Sequence, residues 1–370
     1  SNPWGVDFND HGQAFLTSCV IPHLFHIIQG ARYHRQAGQH FNPYIFDDIK
    51  TCADHVHYAS ATPHAGNRRS GSAGGGHAHC GAMVYLGGSW PAEYRNQIFM
   101  NNIHGARINM DRLVRSGSGY VGEHGPDFLM ANDEWSQILN LRYGPDGSVY
   151  MIDWYDKQAC HTPNATAHDR SNGRIFKVVH TNDKPVQNVD LTKLSSSELA
   201  VQQLSPNDWR VRHSRRLLQE RGADPEAHRI LRDMLNGNGI GPAPEGFSSQ
   251  EEWLTTRQLR ALWALHVSGG LDETTLIALL DHDNEWLRAW AVQLLCEKGT
   301  PSDRAIKQFR EMAAGGESAT VRLYLAAAAQ RIAPEKRWDL VAALASRDED
   351  AKDKNVPLMV WYAADGAETG

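Results

Sequence analysis

The stretches VDFNDHGQAFLT (residues 6–17) and LRYGPDGSVYMI (residues 141–152) decide the fold, because they are one unit written twice. Val6, Phe8, Gly12, Phe15 and Leu16 match Leu141, Tyr143, Gly147, Tyr150 and Met151 at a constant offset of 135. Each copy reads as a strand, a tight turn closed by a glycine that tolerates positive φ, and a return strand. A third strand group, residues 82–85 and 97–100, lies between them. An offset of 135 is three units of about 45 residues, the length of one β-propeller blade. A generic β-sandwich is the alternative. Residues 1–180 supply three or four blades on this count, against the 4–8 that typically close a ring. Residues 21–76 read as an insertion, with a flexible loop at RRSGSAGGG (residues 68–76).

Composition changes near residue 185. Fifteen of the nineteen histidines fall in residues 1–180, whereas seven of the eleven tryptophans fall after it. The polar run TNDKPVQNVDLTK (residues 181–193) has no helical period. The expected organisation is therefore the C-terminal blades of a propeller over residues 1–180, a linker at 181–195, and helices over 196–370. Apolar residues at three- and four-residue spacing predict helices over 208–221, 251–267, 274–280, 285–298, 303–314, 319–332 and 335–345. Trp209, Leu217, Leu218, Glu220, Arg221 and Gly222 recur as Trp286, Leu294, Leu295, Glu297, Lys298 and Gly299, at offset 77. Two units of about 38 residues fit an α-solenoid of HEAT or armadillo-like helix pairs; a non-repeating bundle is the alternative.

The 370 residues carry a net charge of −6, so no overall basic field argues for nucleic acid. No apolar run approaches the ~20 residues that cross a bilayer. The five cysteines are odd in number and widely spaced, and no C-x-x-C or C-x-x-C-H occurs, which argues against a disulfide framework, a zinc knuckle and attached c-type haem. The first residues already read as the interior of a domain, so a fragment of a longer protein is expected.

Four clusters in the histidine-rich half could carry chemistry. His77 and His79 share one face of a strand, where two imidazoles can share a metal or flank an anion. His104, Arg107 and Asn109 gather at the end of an apolar strand, and Arg107 can present a planar fork to a carboxylate or carbonyl. Asp153 and Asp156 leave a strand and could bind a hard cation through oxygen; Asp153 could equally orient a histidine. Cys160 and His161 are adjacent, a weak signal because neighbours in a strand face opposite ways. Arg170 and Arg174 flank an Asn-Gly turn and could approach an anion; a hairpin with solvated charges is the alternative. His55 repeats the His77 spacing with His57 in a loop-like context. Arg210, Arg212, Arg215 and Arg216 form a basic patch that reads as a solvated face or a domain interface.

The runs GGGHAHCGAMVYLGGSWPAEYRNQIFMNNIHGARIN (residues 74–109), GPDFLMANDEW (125–135), LRYGPDGSVYMIDWYDKQACH (141–161) and DRSNGRIFKV (169–178) resemble the membrane-bound dehydrogenases of planctomycetes and verrucomicrobia, also called PVC-type haem-binding proteins. The resemblance implies a glucose- or sorbosone-dehydrogenase-like propeller, HEAT-like repeats and a cytochrome c domain that this chain lacks. It also implies a periplasmic or cell-surface location and oxidation of a sugar or alcohol by pyrroloquinoline quinone held with Ca²⁺, with electrons passing to the haem or another acceptor. In that chemistry His77, His79 and His104 are the candidate bases. Arg107, Asn109, Arg170 and Arg174 would hold the cofactor, and Asp153, Asp156 and His161 would sit by the cation. The competing expectation is a non-catalytic module that binds a glycan or a protein partner.

Overall fold

The fold, a computed structural model, describes residues 3–19, 23–35, 46–55, 78–133, 135–157, 164–180, 186 and 188–365. Eleven strands come first: β1 (Pro3–Phe8), β2 (Ala14–Ser18), β3 (Leu24–Ile27), β4 (His79–Val84), β5 (Ile98–Asn102), β6 (Arg107–Ser116), β7 (Gly119–His124), β8 (Leu129–Met130), β9 (Ile138–Tyr143), β10 (Val149–Asp153) and β11 (Arg174–Val178). They form three antiparallel sheets, ordered β1-β2-β3, β4-β5-β6-β7 with β8 on β6, and β11-β10-β9. Ten α-helices follow among the described residues: α1 (Ser196–Val201), α2 (Asp208–Arg221), α3 (Pro225–Leu235), α4 (Gln250–Val267), α5 (Glu273–Leu279), α6 (Glu285–Leu295), α7 (Asp303–Ala314), α8 (Ala319–Ala329), α9 (Pro334–Ala345) and α10 (Val356–Asp365).

The two matching hairpins have the same turn and the same register. Gly12 N–H donates to Asn9 O (2.9 Å) and Gly147 N–H to Gly144 O (2.9 Å). Gly12 has φ +75° and Gly147 +81°, the left-handed region that glycine enters without a Cβ clash. Phe8 pairs with Ala14 as Tyr143 pairs with Val149. Their buried faces nevertheless differ. Asp7 and Phe15 are buried in the first copy while Val6 and Phe8 are exposed; Leu141, Tyr143, Val149 and Met151 are buried in the second while Tyr150 is exposed. Alternation with period two makes these opposite faces of one motif. The inward Asp7 is satisfied: it accepts from Val84 N–H (2.9 Å) and from Arg212 on α2 (2.6 Å).

The sheet also runs further than the sequence suggests. Residues 24–27 form β3 rather than part of an insertion, because Leu24 and Phe25 are buried and continue the ladder of β2. Among the helices, α1, α3 and α10 escape the periodicity reading. Yet α3 carries a clear start signal: Asp224 caps Ala227 N–H and Pro225 sits at the first helical position. The offset-77 pair is α2 and α6, each capped by an asparagine, Asn207 and Asn284, whose side chains accept from Trp209 and Trp286 N–H.

Helices α2, α4, α6, α8 and α10 pack in succession. The 9–13 turn nests against them. Trp263 of α4 and Trp290 of α6 lie so close to Gly12 that a Cβ there would stand 2.8 and 2.5 Å from their rings. Trp290 Nε1 donates to His11 O (2.9 Å), and Gln13 Nε2 donates to Tyr324 Oη of α8 (2.7 Å). Asp10 is fully buried beneath them. It accepts from Arg95 through Nε (2.7 Å) and Nη2 (2.9 Å), and from Arg260 of α4 (2.8 Å). One apolar core runs through both halves, from Phe15, Met83 and Phe99 to Leu262, Val292 and Leu325. No helix among the described residues is long and apolar enough to cross a membrane.

Candidate metal centre

Strand β6 builds the floor of the site. Its alternation turns Ile108 and Met110 to the apolar core and places Arg107, Asn109 and Asp111 on the other face, all of them buried. Asn102 of β5 stands opposite Arg107, and His124 at the end of β7 stands opposite Asp111. Residues 52–54 strap across this sheet. Cys52 N–H donates to Leu24 O, Gly122 N–H to Cys52 O and Asp54 N–H to Gly122 O, at 3.0–3.1 Å. Gly122 packs under the strap, where a Cβ would stand 2.6 Å from Leu24 Cδ2 and 3.6 Å from Ala53 Cα. The strap delivers His55 to Asp111 from one side, while His23, just before β3, arrives from another.

Asp111 is completely buried and each oxygen faces an imidazole. His23 Nε2 is 3.2 Å from Oδ2, and His55 Nε2 is 3.3 Å from Oδ1. One ligand atom from each of His23, His55 and Asp111 lies within 4.8 Å of the others. Two more imidazoles pack around the three: the His79 ring of β4 lies 5.2 Å from His23, tilted at 46°, and His124 lies 5.1 Å from His55. The second nitrogen of His55, Nδ1, is 2.8 Å from Asp54. Burial lowers the His55 pKa, but hydrogen bonds and charge from Asp111 and Asp54 outweigh it and hold it above its ordinary value. Burial, reinforced by the charge of Asp111, pushes the nearby Cys52 thiol up to about 12, which keeps it protonated.

A linked polar row continues along β6. Asp127 accepts from Arg107 Nη1 (2.7 Å) and Asn109 Nδ2 (2.7 Å), and Asn102 Nδ2 donates to Asn109 Oδ1 (3.0 Å). His124 reaches both Asp127 and Asp111, at 3.8 Å. Of the residues singled out in the sequence, the structure therefore brings His55, His79, Arg107 and Asn109 to this face. Arg107 and Asn109 lie beyond the Ile103–Ala106 turn that follows β5 and open β6. His104 is buried within that turn. His77 and His161 lie outside the described residues.

Asp153 and Asp156 sit in a different sheet corner and are fully engaged. Asp153 accepts from Ser136 Oγ (3.1 Å), Gln137 N–H (2.7 Å), Tyr155 N–H (2.9 Å) and Arg174 Nη2 (2.8 Å). Asp156 meets His168 Nδ1 (3.2 Å) and accepts from Asp169 N–H (3.1 Å). The Arg174 guanidinium, stacked 3.5 Å over Tyr155, holds the side of Asp153 that a cation would need. These carboxylates do not fit Ca²⁺. They pin the β10–β11 connection, and Arg170 is exposed beyond it.

Asp111, His124 and Asp127 escape the sequence reading, although extending the Arg107–Asn109 alternation by two residues reaches Asp111 directly. His23 carries no local signal. Residues 1–182 match a family model described as a domain of unknown function, DUF7133. No curated protein and no solved structure matches the chain.

Proposed function

We propose that the sheet-rich half holds one first-row divalent transition metal through His23, His55 and Asp111 and uses it on a hydroxylated substrate of the sugar or alcohol class. The observation that carries this reading is the placement of His55 between two carboxylates. When Asp54 takes the Nδ1 hydrogen, a neutral ring turns its Nε2 lone pair on an Asp111 oxygen 3.3 Å away. Two lone pairs repel at that distance, and a cation bound by both removes the repulsion. A carboxylate on the far nitrogen is also what orients a ligating histidine and raises its basicity. Bonds of about 2.0–2.1 Å in a tetrahedral site separate neighbouring ligand atoms by about 3.3 Å, which is the spacing of both imidazole nitrogens from Asp111. Imidazole with a single carboxylate suits zinc or iron rather than Ca²⁺ and leaves coordination open for substrate.

The polar row of Asn102, Arg107 and Asn109 supports a hydroxyl-rich substrate beside that position. In the oxidative form of the reading, the substrate hydroxyl gives its proton to a histidine of the cluster and its carbon gives a hydride to a quinone-class acceptor. Onward transfer to a c-type haem in another domain, and a periplasmic or cell-surface setting, belong to the same proposal through the sequence resemblance. The repeated hairpin and the succession α4, α6, α8, α10 support blades of a propeller followed by helix-pair repeats.

A second reading rests on the same distances. An imidazolium at His55 satisfies Asp54 and Asp111 with no metal, and the domain then serves as a binding module for a glycan or a protein. Titration separates the two. The full chain, stripped with chelator, should bind one Co²⁺ or Zn²⁺, and Asp111→Asn or His55→Gln should weaken binding at least tenfold. A folded chain that takes up no stoichiometric metal refutes the metal centre and leaves the binding module.

A further inference from the structure

A cavity of about 540 Å³ lies where the helices meet the first hairpin. It uses none of the metal-centre residues, and its size suits a small molecule. Its walls include Arg212 and Arg215 of α2, Arg260 and Trp263 of α4, and Trp290 of α6.

The charges on these walls do not all find partners. Arg212 pairs with Asp7 (2.6 Å) and Asp208, and Arg260 pairs with Asp10 (2.8 Å) and Asp208 (2.9 Å). Arg215 has no carboxylate within ion-pair distance among the described residues. Its Nη1 is buried and has no acceptor, and its charge rests instead over the Trp263 ring, 5.3 Å from the centroid. Trp263 Nε1 is likewise buried without an acceptor. Two buried donors left unmatched on one cavity are a costly arrangement that an incoming acceptor relieves. Burial pulls the Arg215 pKa down to about 10; Asp208 opposes this and the charges of Arg260 and Arg212 add to it.

The rest of the cavity fixes the kind of acceptor. Arg212 and Arg260 are matched by Asp7, Asp10 and Asp208, and Glu297 lies against His266, so Arg215 is the lining guanidinium left without a carboxylate among the described residues, which suits a monoanion. A guanidinium matches the planar fork of a carboxylate. Trp263 and Trp290 meet edge to face, 4.9 Å apart at 68°, and offer ring surface for a flat apolar body. Trp290 Nε1 is already committed to His11 O.

We propose that this cavity binds a small aromatic monocarboxylate, its carboxylate held by Arg215 and its ring packed against Trp263 and Trp290. The test is calorimetric titration of the full chain with 2-naphthoate and with uncharged 2-naphthamide. The expected result is one saturable site for 2-naphthoate, with 2-naphthamide at least tenfold weaker. Arg215→Met should abolish that discrimination and leave the melting temperature equal to or above the native value, because it removes an unpaired buried charge. Arg215→Lys keeps the charge without the fork and should bind at an intermediate strength. Metal stoichiometry in each variant reports on the other site independently. Absence of 2-naphthoate binding to the native chain at millimolar concentration overturns the proposal, as does equal binding by folded Arg215→Met or by folded Arg215→Lys when the Met variant is unfolded.

Discussion

Replacing Asp10 with asparagine tests what joins the two halves of the molecule. The carboxylate lies between Arg95 of the sheet region and Arg260 of α4, with Arg257 4.0 Å away. Burial alone would raise its pKa, but the three guanidinium groups outweigh that and hold it below the usual carboxylate range, so it is ionised at neutral pH. Asparagine keeps the volume and removes the charge. Breaking one side of a buried ion cluster costs about 3–5 kcal/mol, because the remaining charges stay buried without compensation. At ~2.1 cal/mol/K of unfolding entropy per residue, 370 residues carry about 0.8 kcal/mol/K, so the melting temperature should fall by about 4–6 °C. A double-mutant cycle sharpens the test. Arg95→Met removes the bidentate partner, and Asp10→Asn with Arg95→Met together should cost less than the sum of the singles by more than about 1 kcal/mol. The assay is calorimetry for the melting temperature and urea unfolding for the free energies. A shift under about 1 °C in Asp10→Asn, or additivity within about 0.5 kcal/mol, refutes the view that this charge cluster fastens the sheets to the helices.

Three further outcomes follow from individual contacts. Burial holds the His26 imidazole down at about 4, with Nε2 3.1 Å from Gln13 Oε1; its contribution is complete above the unfolded value near 6.5 and is lost as pH falls toward 4. Urea unfolding should therefore show a loss of about 2 kcal/mol between pH 7 and pH 5 that His26→Gln removes, and an unchanged slope in the variant contradicts it. Gly5→Ala should cost about 3 kcal/mol by overpacking, since its Cβ would stand 2.3 Å from Ala82 N and push β1 off β4, whereas Gly173→Ala meets nothing within 4 Å and should be neutral in the same melting assay. Asp153→Ala should destabilise by about 2–4 kcal/mol through four orphaned donors, Arg174 among them, and Ca²⁺ in place of chelator should leave the native melting temperature unchanged; a Ca²⁺-dependent rise lost in Asp153→Ala would restore the cation role.

Much of the fold was legible because it is encoded locally. Turn chemistry identified both hairpins: Gly12 and Gly147 occupy the positive-φ positions that the matching sequence demanded. The ends of α2 are encoded just as locally, since the Asn207 cap and the Gly222 stop act within one turn of the helix. What the local code does not carry is which face of a hairpin turns inward. Phe8 and Tyr143 occupy equivalent positions in equivalent turns, yet one is exposed and the other buried. The difference comes from residues far away, Arg212 waiting for Asp7 in the first copy and Tyr85 packing on Tyr143 in the second.

The candidate site divides along the same line. Arg107 and Asn109 were readable because they gather beside an apolar strand, and Asp111 lies two residues further along the same face of β6, between Met110 and Arg112. His23 and His55 were not readable as partners, because nothing local records that residue 23 precedes an ascending strand while residues 52–54 cross over it. Gly122 lies where they meet: its backbone holds the strap through Cys52 and Asp54, and a Cβ there would stand 2.6 Å from Leu24 Cδ2. Gly122 is thus a positioning residue for the centre: a methyl group there would displace the Leu24 side chain and would stand 3.6 Å from both Ala53 Cα of the strap and Asp111 Oδ2, crowding the wall that sets Asp111 against His55. Gly122→Ala should accordingly lose metal affinity by tenfold or more while every proposed ligand remains in the chain. Undiminished binding by that variant would mean that His55 does not need the strap, and that the geometry linking these three residues is not what holds the metal.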